Sequence, residues 1–357
     1  MDYKFLIYIS YSYSIPIGKP LEQELLRLGH SVRWFADQDE GKEKLLVEQG
    51  ALHTIDEAVA YRPHIVLTAT DSVAHFLSGI KVQIFHGFPA NKRKGTDQFR
   101  IRGFFDLYCT QGPSSTVPFK KQQKKYPHFE VVETGWSKVD PLFPIENNET
   151  EKPTILIAST FTKDYSIALK DEVIEELVRL SKLDKWKFNI VLHPKLDAAV
   201  HAKIKALQNE NFVYHDTTDL IPLFKKANIL FADTTSAIIE FLLQHKPVVT
   251  FRNNMPGPYL VDVTEVRDIE KEITRALTYP PELIKHIEEF AAFSHPYHDG
   301  QSSRRVIDAT IAFLHSDKSH LKKKPYNFIR KYKMRKRLQY HGPVFQHDTI
   351  IDSLDQK

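Results

Sequence analysis

Two histidines follow directly after apolar runs typical of buried strands, and each lies close to a proline. His86 opens the stretch HGFP at residues 86–89, and His193 stands immediately before a proline in the second half of the chain. A histidine ring exposed in such a turn can take up or release a proton near neutral pH. Gly87 lets the backbone come close to a ligand. We predict that His86 and His193 are catalytic; the alternative for each is a histidine that only caps a loop.

A basic cluster follows the first of these histidines. It consists of Lys92, Arg93 and Lys94. Such side chains are solvated in most proteins, but beside an anionic ligand they would form charge-assisted hydrogen bonds to phosphate oxygens. We predict that Gly87 and this cluster contact a phosphate.

A turn rich in hydroxyl groups precedes an apolar helix predicted at residues 235–244. The turn consists of Asp233, Thr234, Thr235 and Ser236. The N–H groups and hydroxyls at the start of a helix bind phosphate oxygens. Glu240 lies one turn further on and could accept hydrogen bonds from a ribose diol. The alternative is an ordinary capped helix with Glu240 solvated.

Two more side chains at predicted element ends are candidates for phosphate contacts. Thr160 follows a predicted strand, and its hydroxyl could face a phosphate or belong to a simple turn. Arg305 lies near the start of a predicted helix, where it could reach an anion or pack on the surface.

Strands and helices alternate along the chain and must position these residues. Apolar runs at residues 3–10, 81–85, 188–192 and 228–232 read as buried strands, and helices are predicted between them, including a short one at 72–78. This alternation is typical of parallel α/β sheets. Since ligands of such sheets bind beyond the carboxyl ends of the strands, the residues at the strand ends are expected to face a cleft between two domains.

The length and a break in the pattern indicate two domains. The chain has 357 residues, which suits two domains of roughly 150 residues each. Near residue 140 the alternation stops, and a polar, acidic run at residues 146–152 reads as a linker. We predict domains at residues 1–144 and 145–316 and a basic tail at 317–357.

Composition narrows the classes of function. The single cysteine, Cys109, rules out an internal disulfide, and no apolar run reaches the ~18 residues of a membrane span. The sequence lacks a signal peptide and both the G-x-G-x-x-G and Walker A patterns, so we expect a cytoplasmic protein that is neither a dinucleotide dehydrogenase nor a P-loop enzyme. No cofactor is firmly implied. A divalent cation has only the loose pattern Asp37-Gln38-Asp39 in its favour.

The basic tail carries ten Lys or Arg and no acidic residue between Lys318 and Arg337, interleaved with aromatic side chains. One interpretation is a solvated, partly disordered tail. Another is a patch across residues 318–338 that binds an anionic membrane surface on its cytoplasmic face. Nucleic acid is not expected as a partner, because the rest of the chain shows no nucleic-acid-binding module.

Taken together, the order and spacing of these motifs resemble the CDP-glycerol glycerophosphotransferase family, which builds teichoic acid and related capsule polymers. The resemblance spans roughly residues 80–310. The matching stretches are H-G-x-P at 86–89, T-G-x-x-x-x-D at 134–140, H-P at 193–194, a D-x-S-S-like run at 233–241 and D-G-x-x-S-x-R-V at 299–306. The family commonly has A-P-T-[WF]-R where this chain has Ala158 to Thr162, so a threonine replaces that arginine.

The resemblance implies a GT-B type fold, with two Rossmann-like domains facing a central cleft. It also implies a transferase that moves glycerol phosphate or ribitol phosphate from a CDP-activated donor to a hydroxyl of a glycan or polyol-phosphate acceptor, releasing CMP. The first domain would be the acceptor domain, with contacts from Gly87 and the cluster Lys92, Arg93 and Lys94, and the second would be the nucleotide-donor domain. His86 would be the base, while His193 and Arg305 would stabilise charge. Alternatives are a GT-B glycosyltransferase with a nucleotide-sugar donor, a sugar-nucleotide 2-epimerase, for which no persuasive acid–base pair is visible, and a non-catalytic nucleotide-binding scaffold of an export complex.

Overall fold

The computed structural model describes residues 1–45, 50–88, 99–145 and 151–345. Contacts within the chain divide these residues into two compact units. Unit 1 consists of the described residues up to Asp140 together with those from Asp299 onward, and unit 2 is Pro141–His298. Each unit contains its own sheet.

The strands of unit 1 are β1 Lys4–Ile9, β2 Ser31–Ala36, β3 Ala51–Leu52, β4 Ile65–Thr68, β5 Ile80–Gln83, β6 Leu107–Thr110 and β7 Glu130–Glu133. The strands of unit 2 are β8 Thr154–Ser159, β9 Lys187–Leu192, β10 Phe212–His215, β11 Ile229–Ala232, β12 Val248–Phe251 and β13 Val261–Val263. Central strands such as β4 and β11 are buried at every position, which is why they read as continuous apolar runs.

The helices that surround the sheets are, in chain order, α1 Ile15–Arg27, α2 Asp39–Leu45, α3 Ile55–Tyr61, α4 Pro113–Lys125, α5 Asp171–Ser181, α6 Ala198–Ala206, α7 Ile221–Lys226, α8 Ala237–Leu242, α9 Ile269–Ala276, α10 Pro281–Ser294, α11 Ser302–His315 and α12 Phe328–Leu338. The helices α1 to α4, α11 and α12 belong to unit 1, and the other six belong to unit 2.

Both sheets are parallel throughout and share one topology. The order is β3-β2-β1-β4-β5-β6-β7 in unit 1 and β10-β9-β8-β11-β12-β13 in unit 2. In each, the first strand lies between the second and fourth; Phe5, for example, is in register with Val32 on one side and Ile65 on the other. This is the doubly wound Rossmann order. The predicted α/β class with two Rossmann-like parallel sheets is confirmed.

One predicted helix is wrong. Residues 72–78 form turns that lead into β5, not a helix. Val73, Ala74, Phe76 and Leu77 are all buried, so their spacing imitates a helical face although they pack as a compact turn in the unit 1 core. Seven residues provide little helix cooperativity of their own, and tertiary packing decides such a segment.

The chain from Asp299 onward clusters with unit 1 in the structure. Our sequence analysis divided this region differently, assigning residues up to 316 to the second domain and the rest to a separate tail. The helix α11 packs against α1, and α12 contributes Met334 and Leu338 to the unit 1 core. The functional names given to the domains stay predictions.

The predicted basic tail is therefore folded as far as residue 345. Arg337 of α12 forms an ion pair with the buried carboxylate of Asp37, which also accepts a 2.7 Å hydrogen bond from the Tyr8 hydroxyl. Asp37 thus anchors α12, and its carboxylate is engaged by Arg337 and Tyr8. The described part of the tail, up to residue 345, includes this helix, and the rest of the tail lies outside the described residues.

We expect the buried face of α12 to stabilise unit 1. Met334 is 5% exposed, whereas Ile329 on the same helix is 73% exposed. Met334→Ala should lower the free energy of unfolding by about 2–5 kcal/mol, because it removes packed volume from the core. Ile329→Ala, the matched control, should change it by less than about 0.5 kcal/mol. Urea denaturation curves would measure both; equal midpoints for the two variants would mean that α12 is not part of the core.

Candidate functional site

The order of strands reverses at one place in each sheet, between β1 and β4 in unit 1 and between β8 and β11 in unit 2. Loops that follow strands on either side of this point separate and leave a crevice, where open α/β sheets bind ligands.

In unit 1, His86 is presented by a strained turn after β5. Phe85, directly before it, has a φ of 59°, in the left-handed region that is uncommon for a bulky residue. Two hydrogen bonds hold the turn: Trp136 Nε1 donates to the carbonyl of Phe85 at 3.2 Å, and Gln111 Nε2 donates to the carbonyl of Gly87 at 2.8 Å. The ring of His86 is exposed as a result.

The hydrogen bond of the His86 ring determines which nitrogen carries the proton. Its Nδ1 lies 3.1 Å from the carbonyl oxygen of Ala69, in the loop after β4. A carbonyl can only accept, so Nδ1 must donate. In the neutral ring the lone pair is then on Nε2, which is the arrangement that a general base needs.

Two tyrosines of the loop after β1 lie beside His86, and our sequence analysis missed them. The Tyr13 ring centroid is 5.9 Å from that of His86, and Tyr11 stacks on Tyr13 at 5.6 Å. Both rings are more than 40% exposed although they are large. Burial and the nearby Tyr11 raise the pKa of Tyr13, so its hydroxyl stays protonated. The available signal was their position after the first strand, at the switch point.

In unit 2, His193 has the opposite hydrogen-bond arrangement. Its Nδ1 accepts a 3.1 Å hydrogen bond from the backbone N–H of Lys195. A nitrogen that accepts cannot carry the proton in the neutral ring, so the proton is on Nε2. His193 therefore presents a hydrogen-bond donor where His86 presents an acceptor.

An exposed aromatic ring and a lysine complete the surroundings of His193. The Phe161 ring is 42% exposed and its centroid is 4.5 Å from that of His193. Lys195 Nζ lies 5.4 Å from the Phe161 centroid, within cation–π range. Phe161 stands in the loop after β8, close in sequence to the predicted Thr160, but neither it nor Lys195 was among the predicted site residues.

Asp233 is fully buried and organises the loops of unit 2. Its carboxylate accepts hydrogen bonds from the Ser159 hydroxyl at 2.8 Å, the Thr160 N–H at 3.0 Å and the Ile167 N–H at 3.1 Å. These groups belong to the last residue of β8 and to the segment that follows it, on the other side of the switch point from β11. The prediction that Asp233 contacts phosphate is not supported by this geometry, because the carboxylate oxygens point into the protein and an anion would repel them.

The hydroxyl-rich turn after β11 divides into a buried and an accessible part. Thr234 is buried, and its hydroxyl accepts a hydrogen bond from the Asn254 N–H at 3.1 Å. Thr235 and Ser236 are partly exposed at the start of α8. The helix α8 has only six residues, so its dipole is weak, and a phosphate contact here would depend mainly on these hydroxyls and backbone N–H groups.

The structure bears differently on the predictions for Glu240, Thr160 and the basic cluster. Glu240 is 5% exposed, so the alternative of a solvated Glu240 is wrong. Thr160 is buried, and its N–H is already bonded to Asp233. The basic cluster formed by Lys92, Arg93 and Lys94 lies outside the described residues.

The described part of the chain contains no group of three or more His, Cys, Asp or Glu side chains placed to hold a metal ion. No helix within it is long and apolar enough to cross a membrane.

A family model named CDP-glycerol:poly(glycerophosphate) glycerophosphotransferase matches residues 81–312, more than half of the chain. The chain belongs to this family. It is a transferase, as predicted, and the expected role in cell-wall polymer synthesis is confirmed at the level of the family. No curated protein sequence matches the chain.

Solved structures of low sequence identity share the fold of this family member. The wall teichoic acid polymerase TagF is 14% identical with a TM-score of 0.59, over 86% of this chain and 88% of that one. A CDPG-soaked variant of TagF is 15% identical with a TM-score of 0.64 over the same shares. UDP-GlcNAc 2-epimerase from Neisseria meningitidis, bound to UDP-GlcNAc, is 17% identical with a TM-score of 0.57, over 86% of this chain and 99% of that one. The GT-B type fold is thereby confirmed.

Two of the family motifs, at residues 134–140 and 299–306, are joined by hydrogen bonds within unit 1. Asp140, which ends the stretch 134–140, accepts hydrogen bonds from the N–H groups of Ser302 at 2.8 Å and Ser303 at 2.7 Å and so caps α11. Arg305 forms a two-pronged ion pair with Asp299 at 2.8 and 3.0 Å, and its Nε donates to the carbonyl of Thr134 at 2.9 Å.

This ion pair holds the pKa of Asp299 at about 2. Because the guanidinium of Arg305 is occupied by a carboxylate and a carbonyl, its charge is largely compensated in the structure. The predicted phosphate contact of Arg305 stays a prediction, and its observed role is to join the two motifs.

We expect Asp233 to contribute to the stability of unit 2 and not to bind the ligand directly. Asp233→Ala leaves the N–H groups of Thr160 and Ile167 buried without an acceptor, which should cost about 3 kcal/mol or more. Thr235→Ala, two residues away and partly exposed, should cost less than about 1 kcal/mol. Chemical denaturation monitored by fluorescence would compare them. Loss of nucleotide binding without any loss of stability in Asp233→Ala would instead make this carboxylate a ligand group.

Proposed function

We propose that this protein transfers glycerol phosphate, or a closely related polyol phosphate, from a CDP-activated donor to an acceptor hydroxyl. The observation that carries the proposal is the complementary state of the two histidines. In the neutral rings, His86 carries a lone pair on Nε2, and His193 carries an N–H at Nε2. An acceptor and a donor of protons are the two functions that this transfer requires.

The reaction forms one bond and breaks one. The acceptor oxygen attacks the phosphorus that carries the polyol, and His86 Nε2 takes the proton of the acceptor hydroxyl. The bond between this phosphorus and the bridging oxygen breaks, and CMP leaves with the electron pair. His193 Nε2–H donates a hydrogen bond to a phosphate oxygen as charge develops. Positioning and charge stabilisation supply most of the catalysis in phosphoryl transfer.

We infer that unit 2 holds the nucleotide. Thr235 and Ser236 offer hydroxyls to the phosphates, and Lys195 adds a positive charge beside His193. The exposed ring of Phe161 provides a surface on which a base can stack. Glu240 is proposed, as in the sequence analysis, for the ribose. Arg305 is paired with Asp299, so we assign the stabilisation of negative charge on the phosphates to Lys195 and His193.

The test is CMP release from CDP-glycerol in the presence of a polyol-phosphate acceptor. His86→Ala should lower kcat by about 10²–10⁴ with little change in the KM for the donor, since the base acts on the acceptor. His53→Ala, an exposed histidine elsewhere in unit 1, should leave kcat unchanged and serves as the matched control.

Two outcomes would contradict the proposal. Full activity of His86→Ala would remove the base assignment. Turnover of a UDP- or GDP-sugar in place of CDP-glycerol would favour the glycosyltransferase alternative, in which the acceptor attacks an anomeric carbon.

We also propose that α12 lies against an anionic membrane surface on its cytoplasmic face. The face opposite the core exposes three large apolar side chains, Phe328 at 73%, Ile329 at 73% and Tyr332 at 68%. Lysines and arginines occupy most of the other positions of this helix. Exposed aromatic residues among basic ones are typical of helices in the membrane interface, where the rings enter the head-group region and the charges attract anionic lipid.

We expect substitution of this apolar face to weaken vesicle binding. Phe328→Ser, Ile329→Ser and Tyr332→Ser combined should lower binding to phosphatidylglycerol vesicles at least about tenfold, since each side chain loses buried apolar area. The control combines Leu26→Ser and Val117→Ser, at residues that are 60% and 65% exposed elsewhere on unit 1. Co-sedimentation measures both, and equal binding of the two variants would overturn the membrane assignment.

A further inference from the structure

Unit 1 contains a cavity of about 270 Å³ at the edge of the sheet opposite to His86. Lys81 stands near the beginning of β5, whereas His86 follows its end. The side chains that matter here are His75, Lys81, Phe104, Lys324, Lys331 and Arg335. We call this the basic cavity. It lies at the amino ends of the strands of unit 1. None of the residues that line it takes part in the proposed reaction.

The cations of the basic cavity have few acidic partners. Lys324 Nζ is 2.6 Å from the carboxylate of Asp106. Lys81 Nζ is buried and donates to backbone carbonyls, among them that of Gly79 at 2.6 Å. Within the described residues, Lys331 has no carboxylate partner. One acid thus stands among three lysines and an arginine.

The remaining basic groups are held in place by their neighbours. Arg335 lies beside the stacked rings of Phe76 and Tyr340, 5.2 and 5.3 Å from their centroids, and its Nη1 donates to the carbonyl of Gly342 at 2.8 Å. Nδ1 of His75 is buried and has no hydrogen-bond partner among the described residues. A hydrogen-bonding atom left unsatisfied beside a cavity is a position where a ligand atom would gain a bond.

The basic groups of the cavity lower one another's pKa values. Burial, together with Lys324, lowers the pKa of Lys81 to about 7. Burial, with Lys331, Arg335 and Lys81, lowers that of His75 to about 4. Burial and Lys324 also lower the pKa of Lys331. The neighbouring positive groups therefore disfavour one another's charged forms, and an anion placed among them would favour those forms.

We propose that the basic cavity binds a phosphate group, as a second anion site separate from the transfer reaction. Its volume greatly exceeds the ~30 Å³ that a water molecule occupies in the liquid, so a phosphate group with part of its substituent can enter. Phosphate offers several oxygens to donors from different directions, which matches lysine, arginine and histidine groups converging from separate segments. The phosphate can belong to a soluble molecule or to a lipid head group, since both present the same chemistry.

Lys331→Gln tests the cavity with minimal disturbance. Lys331 is half-buried on α12 and faces like charges, so the substitution should leave the unfolding temperature unchanged or raised. The matched control is Lys333→Gln, which makes the same change at an exposed position of the same helix that does not line the cavity. Lys331→Arg, which keeps the charge, should retain binding.

Two assays separate the sources of phosphate. Isothermal titration calorimetry with inorganic phosphate measures the soluble form, and co-sedimentation with phosphatidylcholine vesicles, with and without phosphatidic acid, measures the lipid form. We expect Lys331→Gln to bind about tenfold more weakly than Lys333→Gln in at least one assay, because a charge-assisted hydrogen bond is lost. A difference in calorimetry assigns a soluble phosphate, and a difference only with phosphatidic acid assigns a lipid head group.

Equal behaviour of Lys331→Gln and Lys333→Gln in both assays would overturn the proposal. This result is independent of CMP release and of the apolar face of α12, both of which the two variants leave intact. Each variant removes one positive charge from α12, so general attraction to anionic lipid and phosphate binding elsewhere fall equally in both. The difference between the two variants therefore reports on the basic cavity.

Discussion

A parallel sheet brings the carboxyl ends of all its strands to one edge, and the chemistry of each unit depends on this constraint. Loops from strands that are distant in sequence must meet there with their backbone polar groups satisfied. In unit 2 one buried carboxylate meets much of that need, because Asp233 accepts hydrogen bonds from the O–H group at the end of β8 and from N–H groups of the segment that follows. In unit 1 the backbone carbonyl of Ala69 has a comparable role, since it orients the ring of His86.

The two histidines show how one residue type can be given opposite roles by a single neighbour. A carbonyl acceptor forces the proton of His86 onto Nδ1, whereas a backbone donor forces that of His193 onto Nε2. In both cases the neighbour is a backbone group. Both depend on loop conformations, one of them strained at Phe85, that the rest of each unit must stabilise.

Different faces of the helix α12 have different roles. One face fills the core with Met334 and Leu338, and Arg337 secures the helix through Asp37. The opposite face leaves aromatic and aliphatic side chains in solvent, while Lys331 and Arg335 line the basic cavity. Some basic residues of this short helix therefore hold the fold together, and others are available to bind anions. The net charge of the helix does not distinguish these two roles.

The sequence by itself determined the α/β class, the positions of most strands and the family, because buried strands and motif spacing are local patterns. It also located both histidines at strand ends. It did not reveal that residues 72–78 form a turn, nor that α8 is only six residues long, since tertiary packing overrides short local preferences. Only the tertiary structure decided that Asp233 faces inward, that Arg305 is neutralised by Asp299 and that α12 belongs to unit 1. Each depends on partners many residues away, and a one-dimensional pattern carries no information about which distant group satisfies a charge.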